Sequence, residues 1–286
     1  MMRSLFAGVS GMRANQMMMD VVGDNIANVN TTGYKASRVV FEDTLSQLLA
    51  DGSAGDGTLS GSVNPAQVGL GVHVGATDAV QTQGAIQTTG RATDLALQGA
   101  GSFVMSLGGE TLYTRAGSLS LDAQNHLVDA TGALLQGWSA DSTGAIASTD
   151  PSALGTLSVP SADPGDATAL LRSFAISSDG KLNAVYSNGH AMTVGQIAIA
   201  TFSNPAGLVA RANGHFAADP ASGAPSYVTA GAGGSGTLAA GALEMSNVDL
   251  AQEFTNMMIA QRAFQANSKV ISASDEMLQD LVNLKR

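Results

Sequence analysis

Apolar residues recur at every seventh position near both ends of the chain. Leu5, Met12, Met19 and Ile26 follow this step, with Val9 between the first two and Gln16 and Gly23 at the later intervening places. The pattern predicts a helix over residues 4 to about 29. It ends in Asn28-Val29-Asn30-Thr31-Thr32-Gly33, where asparagines and a glycine accept the left-handed geometry that stops a helix. The far end mirrors this. Leu250, Phe254, Met257, Phe264, Ile271, Leu278 and Val282 fall on one three-and-four-spaced seam, interrupted by Gln261, Ser268 and Asp275. Asp249 followed by Gln252 resembles a capping box that starts the helix. From Leu250 to Leu284 such a helix is about 50 Å long at ~1.5 Å per residue. A narrow seam repeating every seven residues is what a helix shows to a partner helix. Ordinary amphipathic helices packed on a globular body give the same period, so the terminal placement of both is what favours a coiled coil. The two apolar sets are the expected polymerisation interface.

Between the helices the period drops to two. Leu95-Ala96-Leu97, Phe103-Val104-Met105 and Leu112-Tyr113-Thr114 read as strands, and Val194 to Phe202 as one longer strand. A turn beat recurs at Asp122 to Leu127, Asp129 to Leu134, Asp141 to Ile146 and Asp179 to Leu182, where Asp, Asn or Gly makes a tight turn before an apolar residue. The fold class expected is α+β: terminal helices forming a coiled-coil or tube domain (1–35 and 243–286), a connecting segment (36–71), and a central antiparallel β-rich body (72–242). Residues 50–61, 139–170 and 220–236 are rich in small and turn-forming residues and read as loose.

Chemistry narrows the reading mainly by what it lacks. The net charge is −10 over 286 residues, which argues against nucleic acid, whose phosphates need clustered Lys and Arg. There are no cysteines, so disulfides and thiolate metal sites are excluded. His73, His126, His190 and His215 show no metal-ligand spacing and read as surface or turn positions. Gly231 to Gly236 satisfies G-x-G-x-x-G, but it follows a turn-rich loop rather than a strand and precedes Thr237 to Gly241 rather than an opening helix, so it reads as a flexible linker. No cofactor and no enzymatic site are expected. No apolar run is long enough to span a bilayer, and Ser4, Gly8, Ser10 and Arg13 interrupt any secretory h-region, so export without a cleaved signal peptide is expected.

The terminal segments carry a family likeness. Ser4 to Met12 and Asp24 to Lys35, including Asn25, Ala27, Asn28, Asn30, Thr32, Gly33, Tyr34 and Lys35, resemble the N-terminal signature of the bacterial flagellar rod and hook family. Glu244 to Leu250, with Asn247, Val248 and Asp249, Ile259 to Lys269, with Gln261 and Arg262, and Leu278 to Leu284 resemble its C-terminal signature. Gln67 to Val72, Thr89 to Leu95 and Tyr113 to Gly117 are also similar. The likeness covers nearly the whole chain and thins over 141–172, the place of an outer inserted domain in longer hook subunits. Asn247 to Leu250 and the ending Leu281 to Arg286 point to a short hook subunit, whereas the length of 50–61 resembles the distal rod. The resemblance implies an extracellular helical homopolymer with the helices as an inner tube, exported by the flagellar type III apparatus. As a hook it implies a flexible joint passing motor torque to the filament, with the distal rod protein, hook cap and hook-filament junction protein as partners. It implies no membrane insertion. A secreted β-rich binding module, such as an adhesin, is the competing class, but Trp138 is the only tryptophan and no aromatic cluster marks a ligand groove.

Overall fold

Both terminal segments form long helices, α1 over Met2–Ala27 and α2 over Leu250–Asn283. The computed structural model describes residues 2–52, 62–141, 143–146 and 148–284. The loose reading of 50–61 therefore falls largely outside the described residues. The chain divides into two units, and the first gathers α1, residues 37–80 and α2.

In this helical unit α1 and α2 run antiparallel. Ser4 Oγ lies 3.3 Å from Ser274 Oγ, while a Cβ on Gly8 would meet Ile271 and one on Gly11 would meet Asn267. The face that α1 buries is made mostly of small or polar residues, Gly8, Gly11, Ala14 and Asn25, with Val22 its one larger apolar member among the described residues. Their lack of bulk permits close backbone approach, and α2 answers with Ala260 and Ser274. Residues 36–71, read as a connecting segment, contain strands. β1 (Ser37–Asp43) pairs antiparallel with β4 (Val72–Ala79), with an irregularity between Val40 and Phe41, and β2 (Ser46–Ala50) pairs with β3 (Ala66–Gly69). Asn25 ties α1 to β1, donating to the Ser37 carbonyl at 2.7 Å and accepting from the Ser37 amide at 2.9 Å.

The second unit comprises residues 28–36 and 81–248. Among the described residues, the alternating and turn-bounded stretches form an antiparallel sheet of 14 strands. Its central path runs from Asp166–Ile176 through Lys181–Tyr186, Ala191–Ile197 and Leu134–Ser139 to Ser102–Leu107, Glu110–Thr114 and His215–Ala217. Leu95, Leu97, Phe103, Met105, Leu135, Leu182 and Ile197 are fully buried in its main core. A smaller cluster gathers Val104, Tyr113 and Trp138, where the Tyr113 and Tyr227 hydroxyls bond at 3.0 Å.

Three expectations are corrected here. The strand read over Val194 to Phe202 breaks at Ala198: Ala191–Ile197 pairs with Leu134–Ser139, whereas Ile199–Thr201 pairs with Ser102–Leu107 and Ser226–Val228. The glycine run 231–236 is a closed turn rather than a linker. The Gly231 amide donates to the Gly236 carbonyl at 2.9 Å, and a Cβ on Gly236 would collide with the Gln98 carbonyl. His215 is buried, with Nε2 at 2.9 Å from Asp129, so it occupies neither surface nor turn.

Candidate functional site

Two features carry the terminal motifs, one in each unit. The first is a buried ionic junction in the body. Lys35 Nζ lies 2.6 Å from Glu244 Oε1, and Arg115 Nη1 lies 3.2 Å from Glu244 Oε2. All three side chains are almost wholly out of water, and an unpaired charge there would be prohibitively costly. Backbone carbonyls take up further donors of both cations. Lys35 also donates to the Thr82 carbonyl at 2.8 Å, and Arg115 to the carbonyls of Leu97 at 3.2 Å and Gly99 at 2.6 Å. The Gly84 amide donates to Glu244 Oε1 at 3.0 Å. Burial pushes the Lys35 and Arg115 pKa values below their ordinary positions, with Glu244 opposing the fall in both.

The rest of the motif builds the backbone around this junction. Gly33 adopts φ +70°, a region that L side chains avoid, and a Cβ there would lie 2.5 Å from the Ala116 amide nitrogen. Its own amide donates to the Glu244 carbonyl at 2.8 Å. Asn247 accepts from the Ala36 amide at 2.7 Å and donates to the Thr82 carbonyl at 3.1 Å. Strand β5 (Ile86–Thr88) pairs with Ala242–Glu244, and β6 (Leu95–Gln98) with Thr237–Ala240. The incoming segment 28–36 and the outgoing segment 237–248 are thus stitched to each other and to the body. Asn28 accepts from the Thr31 hydroxyl at 3.0 Å, Tyr34 is partly buried, and Ala27 and Asn30 are exposed. Thr32 is partly buried, and the Val248 amide donates to Ser246 Oγ at 3.3 Å.

The second feature is the outward surface of the helical unit. Of the expected interface residues, Leu5, Val9, Met12, Met19, Ile26, Met257, Phe264, Ile271 and Leu278 are partly buried, whereas Leu250, Phe254 and Val282 are exposed. Sequence periodicity did not single out Phe6, Met17, Met258, Ile259, Val270 or Met277, all exposed as well. Gln261 and Arg262 lie on this exposed side. Asp249 caps α2, accepting from the Ala251 amide at 2.9 Å and the Gln252 amide at 3.3 Å. The expected reciprocal box does not form, because Gln252 turns to Asn256 at 3.1 Å.

Terminal helices with an uncovered apolar side, continuous with a β-body closed by an ionic junction, are the plan of a structural assembly subunit. The relatives agree. Family models described as flagella basal body rod protein, flagellar hook protein FlgE/F/G D1 domain and flagellar basal body rod FlgEFG protein C-terminal match residues 5–35, 96–184 and 239–284. The chain is 45% identical to the flagellar basal-body rod protein FlgG of Bacillus subtilis over 287 positions, covering all of both chains. It is 35% identical to FlgG of Borreliella burgdorferi over 290 positions, again covering all of both. Against the flagellar hook protein FlgE of the same organism it is 29% identical over 442 positions, also end to end. The chain belongs to the flagellar rod and hook family, whose members are structural proteins of the flagellum and not enzymes.

Proposed function

We propose that this chain is the distal-rod subunit of the bacterial flagellum, a homopolymer whose terminal helices form the inner wall of the rod. One observation carries the choice of rod over hook. The rod relatives align over 287 and 290 positions, matching a chain of 286 residues with almost no gaps. The hook alignment needs 442 positions, so the hook relative carries a large region with no counterpart here. The short-hook reading explained the thin segment 141–172 by a lost domain; the rod reading requires no loss. Of the residues that pointed to a hook, Asn247 serves the segments around the junction and Asp249 the α2 cap, and the ending Leu281 to Arg286 lies partly outside the described residues. The hook cap and hook-filament junction partners belonged to the hook reading and are not carried over. Polymerisation is supported by the exposed Phe254, Met258, Ile259 and Met277 on α2 and by Phe6 and Met17 on α1, an apolar surface of the sort that marks interaction sites. Export through the flagellar type III apparatus is part of the same reading.

Electron microscopy of basal bodies from a strain lacking the gene tests the assignment. A distal-rod subunit predicts rods that stop short and carry no hook. Complete rods missing only the hook would overturn it.

A further inference from the structure

The helical unit carries charges that it does not neutralise itself. Among the described residues, Arg3, Arg13, Arg262 and Lys269 make no ion pair, and neither do Asp20, Glu253, Glu276 and Asp280. Arg3, Glu276 and Asp280 mix both signs at one end of the antiparallel hairpin, whereas the others separate along it by sign. Because Gly11 faces Asn267, Arg13 lies at the level of the Arg262 to Lys269 stretch, and the three form a basic band. By the same register Asp20 lies level with Met258, between Arg262 and Glu253, and the acidic band nearer the start of α2 is Glu253 with Asp249. At ~1.5 Å per residue Arg262 and Glu253 of one copy are about 14 Å apart along the hairpin. One copy cannot bring its own bands together, whereas two copies displaced along the axis can.

The acidic band contains a recess. Met18, Val22, Val39, Asn256 and Glu253 help to enclose a cavity of about 220 Å³. Glu253 is partly buried, and its Oε2 has no hydrogen-bond partner among the described residues. The other charged residue on the wall, Arg38, is turned to Asp78 at 3.4 Å. A partly buried carboxylate without a protein partner is costly, and a cation reaching Glu253 through the recess would relieve that cost. Arginine suits the walls better than lysine: its stem packs on apolar side chains while its planar fork meets a carboxylate with two donors. Arg262 is the arginine placed to deliver it, since it follows Met258 and Ile259, 54% and 56% exposed, by four and three positions on the same side of α2.

We propose that the Glu253 recess receives Arg262 of a second copy, and that this pair sets the axial stagger between neighbouring helical units. The inference rests on the reading of the chain as a polymerising rod subunit. The test is the amount of full-length chain recovered in purified basal bodies from cells carrying charge-exchange variants. Glu253→Arg and Arg262→Glu should each lower incorporation by about tenfold or more, as loss of a desolvated interface charge pair does. The double exchange on one chain should restore incorporation to near the original level. Failure of the double variant, with monomer helicity unchanged by circular dichroism, would overturn the pairing. So would rescue of Glu253→Arg by Arg13→Glu instead. Absence of the unaltered chain from the rod would refute the rod reading itself, an outcome distinct from either.

Discussion

Glu244 holds two cations, so the members of the buried junction are not equivalent. Removing Lys35 leaves Glu244 paired with Arg115 at 3.2 Å, whereas removing the Glu244 charge strands two buried cations. Glu244→Gln should therefore destabilise the body by about 3–5 kcal/mol, and Lys35→Met by clearly less. The exposed Arg38–Asp78 pair, at 3.4 Å, is the contrast: Arg38→Gln should shift stability by under ~1 kcal/mol. Urea unfolding followed by Trp138 fluorescence measures the body variants, since Trp138 is buried in it. Equal losses for Glu244→Gln and Lys35→Met would contradict the hub role. Lys35 was legible in the sequence only as part of a motif. Its partner lies 209 positions away, and no local period or spacing encodes a pair closed by the topology of the sheet. One histidine of the four failed for the same reason: His215 meets Asp129 across the fold at 2.9 Å, where residue type alone suggested a surface or turn position.

At the scale of elements, both helices were legible to within a couple of residues, because a seven-residue period over many turns is hard to mistake. Which side of each helix packs inward was not. Periodicity weights large apolar residues, but the inner side of α1 is Gly8, Gly11 and Ala14, chosen for close approach rather than for bulk. The two sides should separate experimentally. Ala14→Leu or Ala260→Leu, at 4% and 0% exposure, overfills the seam and should cost the helical unit about 1–3 kcal/mol. Phe6→Ser, at 66% exposure, should leave monomer stability within ~0.5 kcal/mol while reducing incorporation into the rod. Thermal unfolding by far-ultraviolet circular dichroism, set beside incorporation, gives both readouts. A Phe6→Ser monomer as unstable as Ala14→Leu would show that the outward side is structural.

For the whole molecule, the α+β plan and the antiparallel body were legible from the change of period and the Asp-led turns. Those turns form as read: Asp129 Oδ1 accepts from the Thr131 and Ala133 amides at 2.7 and 3.1 Å, and Asp141 Oδ1 from Thr143 and Ala145 at 2.9 and 3.0 Å. The division of the chain was harder to see. Residues 37–80 group with the helices and 28–36 with the body, so each unit is assembled from separated segments, which composition along the chain does not reveal. The choice between rod and hook was equally hidden, because the motif residues serve junction and cap. What decides it is where the subunit sits. Immunogold labelling of an epitope-tagged chain on purified basal bodies, viewed by electron microscopy, tests this directly. The rod reading predicts gold on the straight shaft between the basal rings and the base of the hook. Gold distributed along the hook itself would contradict it.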